Sequence, residues 1–282
     1  MKKIVEIISI ILLICFSFFV TDKTAKVASS MDEIMVKIKE NYKDYKVDSI
    51  DATINKDTII PGIYGKEVNI NKSYKNMKQS GYYSSNLFVY DYIKPKVSLE
   101  DNLDKYIISG NKEKRMVSLI FLVNGNYDIN NILKIVDEND IKVNFFIDEE
   151  FLFNNNKLVM NLINNNHIVG NLSKNMDYTD SSFGWIDTVI KKVGNQKNGY
   201  CYSIIDNDKN LEQCTLLDNY TIRPNIITGT NPLINIKDKL TSGSLIAISP
   251  NKQLEEELSS IIKFIKSKGY TIVNLEEHLS EK

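Results

Sequence analysis

The chain has 282 residues and a near-neutral balance, with 35 Lys and Arg against 36 Asp and Glu. That balance excludes the basic surplus by which nucleic-acid binders meet phosphate, and no nucleic-acid partner is expected. The length suits one large domain with a smaller region beside it.

Lys2 and Lys3 precede an apolar run from Ile4 to Val20, broken only by Glu6 and two serines. The run is at the short edge of a membrane span and long for a signal-peptide core. The leading lysines favour a cytoplasmic N-terminus. A small-x-small cleavage site is poor, because Lys23 and Lys26 stand two positions before Ala25 and Ala28. Residues 1–30 are therefore read as an uncleaved signal anchor, with a cleaved signal peptide as the alternative. Both readings export residues 31–282. The expectation is an extracytoplasmic domain held at the cell membrane, or a secreted one if the segment is cleaved.

Residues 31–46 carry Ile34, Ile38, Tyr42 and Tyr45 at helical spacing among many charges. This predicts an amphipathic helical stalk. Residues 47–115 are read as a small α/β region. VDSIDATI alternates like a strand, Pro61 to Gly65 is a turn signal, and KEVNI returns as a strand. Asn71 to Ser80 makes a short helix stopped at Gly81, and NLFVYDYI is a second strand.

From 116 to 282 strands and helices alternate. MVSLIFLV, VNFFI, HIVGNL, a strand near 198–203, GSLIAIS and YTIVNL read as strands. Helices are expected after Asp128, through LVMNLI, from Ser182 to Val193, and through KQLEEELSSIIKFIKSK. The last puts Leu254, Leu258, Ile261, Ile262 and Ile265 on one stripe, with Glu early and Lys late to suit the helix dipole. Such alternation predicts a parallel sheet with crossover helices. Cys15 lies in the apolar run, which leaves Cys201 and Cys214 as an even pair in an oxidising location. The alternatives are a disulfide, stabilising by about 3 kcal/mol, and two free buried thiols.

Two tracts carry chemistry by their pattern. The first ends a strand as Ile120, Phe121, Leu122, Val123, Asn124, and the next strand reads Val143, Asn144, Phe145, Phe146. The second runs from Asn166 and His167 through Gly170 and Asn171 to Met176. Together they resemble the NodB-homology polysaccharide deacetylases of carbohydrate esterase family four, whose corresponding motifs are T-F-D-D-G, A-T-F-F and G-H-E-I-G-N-H-x-x-x-H. The resemblance covers the chain from 116 to the C-terminus. It narrows the fold to α/β, a distorted (β/α) barrel of the polysaccharide deacetylase type with missing strands.

It also implies where chemistry should be. The general base falls on Leu122, the Asp metal ligand on Val123, and the two His ligands on Leu172 and Met176. A metal in such a site lowers the pKa of its bound water and polarises the acetyl carbonyl. Leu and Val offer no lone pairs, and a Met thioether suits soft metals. The R-x-P-Y-G segment is matched by Tyr200, Cys201, Tyr202 and Ser203, and the closing Leu-x-His-Asp places Ser249 and Pro250 where His and Asp would be. His167 matches a non-ligand His and is read as a half-buried histidine bonded through one ring nitrogen to backbone. His278, in the polar tail, is read as solvated. Two isolated histidines cannot build a zinc site of the usual three-ligand type. No catalytic residue, metal ligand or cofactor is therefore expected.

The resulting expectation is an exported, membrane-tethered, deacetylase-like protein without catalysis that binds cell-wall glycan. The candidate groove residues are Asn124, Asn171, Asp177, Tyr178, Trp185 and Tyr202, with Tyr200 on an adjoining segment. Two alternatives stand beside it: an active metal-dependent deacetylase with a rearranged site, and a structural protein that binds a protein partner through an apolar patch.

Overall fold

The computed structural model describes residues 11, 13–17, 19–20, 32–174, 176–204 and 207–282. No helix among the described residues is long and apolar enough to cross a membrane. Most of the expected anchor, residues 1–30, lies outside them.

The chain forms two compact units, one of residues up to 49 and 64–94, the other of residues 50–63 and 95–282. In the smaller unit, helix α1 (Glu33–Asn41) starts at Asp32, whose carboxylate accepts the Ile34 N–H at 3.0 Å. Its buried face carries Met35 and Ile38. Ile38 packs with Val68, Met77 and Phe88, the last two from α2 (Ile70–Ser80) and the segment after it. The segment expected as a stalk is thus part of a packed unit. Gly81 ends α2 in the left-handed region at φ 80°, where a Cβ is costly. β3 (Gly65–Val68) and β4 (Tyr90–Ile93) form an antiparallel pair.

The larger unit is built on one curled sheet in the order β1 (Thr53–Asn55), β2 (Thr58–Ile60), β5 (Tyr106–Ile107), β10 (Tyr220–Ile222), β9 (Tyr200–Tyr202), β8 (Ile168–Asn171), β7 (Asn144–Ile147), β6 (Met116–Val123), β12 (Leu245–Ile248) and β11 (Ile226–Thr228), with β13 (Thr271–Ile272) also on β6. Its central strands are β12 (Leu245–Ile248), β6 (Met116–Val123), β7 (Asn144–Ile147), β8 (Ile168–Asn171) and β9 (Tyr200–Tyr202), all parallel. This is the expected α/β open barrel. β1 (Thr53–Asn55) and β2 (Thr58–Ile60) make a hairpin that joins β5 (Tyr106–Ile107), so residues 50–63 and 95–115 belong with the barrel rather than with the small region.

β6 shows why its run is apolar at every position but Ser118. Val117, Leu119, Phe121 and Val123 face an outer core under the helices, whereas Ile120 and Leu122 face an inner core within the curl. A strand buried on both faces cannot alternate. The outer core is closed by the stripe Leu254, Leu258, Ile261, Ile262 and Ile265 of the helix Lys252–Ser267. Helices Asp208–Leu216 and Pro232–Lys239 lie in the stretch between β9 and β12.

The C-terminal helix Leu275–Leu279 docks under the inner core through Leu275 and Leu279. The Leu275 N–H donates to Asn144 Oδ1 at 2.7 Å. His278, expected in solvent, is fully buried there. Its Nδ1 lies 2.8 Å from Ser118 Oγ, which donates to the Val273 carbonyl. Burial, aided by the charge of Lys114, lowers its pKa to about 4.

Candidate functional site

In barrels of this kind reacting groups sit at the carboxyl ends of the strands. The register aligns Leu122 with Phe146 and Phe146 with Gly170. Leu122, Phe146, Leu172 and Tyr202 belong to one inner cluster. Leu122 keeps 9% of its surface exposed and Leu172 1%. The two positions where the resemblance places a base and a ligand have thus collapsed onto each other's cluster and filled the mouth.

The other two positions point elsewhere. Val123 is buried in the outer core. Met176 sits at φ 59° on a surface turn and is 38% exposed. A divalent hydrolytic metal needs imidazole, carboxylate or water donors, and these four side chains supply one thioether. The donor set does not fit the ion. Among the described residues no cluster of three or more His, Cys, Asp and Glu side chains is arranged to hold a metal.

The polar groups nearest the strand ends serve the backbone. Asp148, following β7, accepts the Gly125 N–H at 2.9 Å and caps a helix by accepting the Phe151 N–H at 2.8 Å. Asn171 is buried, donating to the Phe183 carbonyl at 3.0 Å and accepting the Ser173 N–H at 2.8 Å. The Tyr178 hydroxyl lies 2.7 Å from the Tyr202 carbonyl oxygen and accepts the Tyr202 N–H at 2.9 Å. That hydroxyl pins Tyr178 onto the ends of β8 and β9. Burial pushes the Tyr178 pKa upward. Tyr202 is fully buried, its hydroxyl unpartnered and its pKa pushed up to about 12 by desolvation.

Of the six expected groove residues, then, Asn171, Tyr178 and Tyr202 are structural, because their polar atoms or ring faces are consumed in packing. Asn124, Asp177 and Trp185 are exposed. Asp177 accepts the N–H and hydroxyl of Thr179, which hold its pKa below the usual carboxylate range. Trp185 is 46% exposed on the helix Ser182–Gly194. Cys201 and Cys214 form a disulfide that ties β9 to the helix Asp208–Leu216.

The sequence reading missed a cavity of about 630 Å³ at the opposite, amino end of the strands. His167, Tyr200 and Tyr220 line it, so Tyr200 belongs to this end and not to the mouth. His167 is buried and its Nδ1 accepts the Val143 N–H at 3.2 Å, as its expected bond to backbone required. No motif in the chain signals such a cavity, because it is assembled from the loops that enter the strands.

No protein-family model matches the chain. It is 28% identical over 281 residues to the uncharacterized protein YlxY of Bacillus subtilis strain 168, covering 92% of this chain and 87% of that one. In fold it resembles BA3943 of Bacillus anthracis, a family four carbohydrate esterase pseudoenzyme. The TM-score is 0.66 at 24% identity, over 89% of this chain and 96% of that one. It also resembles Bacillus subtilis PdaA, a family four carbohydrate esterase, with a TM-score of 0.54 at 17% identity over 64% and 86%. The chain thus has the fold of the family four esterases, degenerate at the positions where the motif resemblance places base and metal.

Proposed function

We propose that the chain is a deacetylase-like protein that has lost catalysis and acts at the cell envelope by binding glycan, tethered to the membrane by its N-terminal segment. The observation that carries the loss of catalysis is the inner cluster that buries Leu122 and Leu172 together with Phe146. A base and a metal ligand cannot be replaced by two hydrocarbon side chains without removing both the nucleophile and its activation. The likeness to BA3943, itself a pseudoenzyme, agrees with this reading. Kinship of fold with carbohydrate esterases supports a glycan as what is bound.

Retention of the purified full-length chain on insoluble peptidoglycan, against an albumin control, tests the binding. Specific retention supports it, and recovery of all the protein in the unbound fraction sinks it. A second reading, docking of a protein partner, draws on Phe153, Met160 and Trp185. These apolar side chains are exposed on three helices that pack against one another. In-cell crosslinking that yields one specific protein and no glycan would favour it.

A further inference from the structure

We propose that the glycan is taken at the amino end of the barrel, in the cavity between the entry loops of β8 and β9 and the C-terminal helix, and that it is a short, uncharged, N-acetylated saccharide. This siting rests on the glycan reading above. It departs from the carboxyl mouth, where Leu122 and Leu172 leave no polar floor. From Ile168 at the cavity to Leu172 at the mouth the chain rises about 13 Å, so the two ends are separate places.

The chemistry of the lining selects the ligand. Gln196 Oε1 is buried and has no hydrogen-bond partner. Buried acceptors are rarely left unmet in folded proteins, and a rotation of the amide toward the cavity would offer this one to a ligand hydroxyl. His167 presents the complementary group. Because its Nδ1 accepts the Val143 N–H, the proton of the neutral ring sits on Nε2, and among the described residues nothing accepts it. An acetamido carbonyl is a suitable acceptor. Burial lowers the His167 pKa, which keeps the ring neutral at pH 7.

Tyr200 and Tyr220 add the apolar surface, with ring centroids 5.8 Å apart and planes tilted by 35°. Aromatic faces suit the apolar face of a pyranose ring, and their amphipathic character suits its hydroxyl rim. Of the lining groups only Lys197, which is paired with Glu100 at 3.9 Å, and Glu276 carry charge. One paired lysine beside carboxylates disfavours phosphate and polyanions, which select clustered Arg and Lys. The volume of about 630 Å³ falls within the usual ~300–1,000 Å³ of small-ligand sites.

The test is calorimetric titration of the full chain with triacetylchitotriose, alongside Gln196→Ala, Tyr220→Leu and Trp185→Ala, each checked for wild-type thermal unfolding. The expected result is binding by the wild type, weakened at least tenfold in Gln196→Ala and Tyr220→Leu and unchanged in Trp185→Ala. Binding that survives the first two variants but is lost in Trp185→Ala overturns the siting and leaves the glycan reading in place. No binding of the trisaccharide together with retention on peptidoglycan also overturns the siting. Failure of both overturns the glycan reading itself.

Discussion

The Phe146 ring lies across Gly170: a Cβ on Gly170 would stand 2.5 Å from Phe146 Cε1. Gly170 has no positive φ, so the constraint is steric. Gly170→Ala must displace the ring from the inner core, an overpacking that costs about 1–3 kcal/mol. Chemical denaturation measures it. The double variant Phe146→Leu with Gly170→Ala should lose less than the sum of the single losses. Additive losses would mean that the ring does not set the need for glycine.

Leu172→Ala should cost roughly 2–5 kcal/mol, as for other fully buried leucines. Leu122→Asp places a carboxylate among Ile120, Phe146 and Leu172. Desolvation raises a buried carboxyl pKa, so the variant should be strongly destabilised at pH 7, and its deficit relative to wild type at the same pH should shrink as pH falls and the carboxyl protonates. Wild-type stability of Leu122→Asp at pH 7 would show that the mouth is open to water.

His278 sets a pH dependence whose sign follows from burial. Its pKa, about 4 when folded, lies below the ordinary 6.5. The unfolded chain therefore binds the proton more readily, and stability present above about 6.5 is lost as pH falls towards 4. The full shift corresponds to about 3 kcal/mol. The buried His167, also lowered, acts in the same direction. Denaturation at pH 7.5 and 4.5, compared with His278→Gln, isolates the contribution. An equal acid-induced loss in variant and wild type would contradict it.

The Cys201–Cys214 bridge closes a separation of 13 residues. A loop of that length is worth about 3 kcal/mol through the entropy of the unfolded chain. The paired substitution Cys201→Ser and Cys214→Ser should lower stability by about that amount, as should reduction of the wild type. Mass spectrometry of the native protein under alkylation should find neither thiol.

What the sequence revealed, and what it hid, divides along the range of the interactions. The strands at 144–147 and 168–171 and the helix at 252–267 were legible because their apolar period is local. The hairpin β1–β2 pairs with β5 some fifty residues on, and nothing local announces such a pairing. The helix Leu275–Leu279 looked solvated because charges dominate its short span, yet Leu275, His278 and Leu279 share the face at i, i+3 and i+4 that meets the inner core. The lost metal positions were readable from residue type alone. Which tyrosines offer a free face was not, since Tyr178, Tyr200 and Tyr202 differ only in where the barrel places them.

The central claim is that this fold has been emptied of its hydrolytic chemistry, and metal content measured with acetate release tests it most directly. The purified full-length chain, incubated with Zn²⁺, Co²⁺ or Ni²⁺, dialysed and assayed on acetylated chito-oligomers, should retain far less than one metal per chain and release no acetate above the buffer control. Stoichiometric metal accompanied by acetate release would contradict the account.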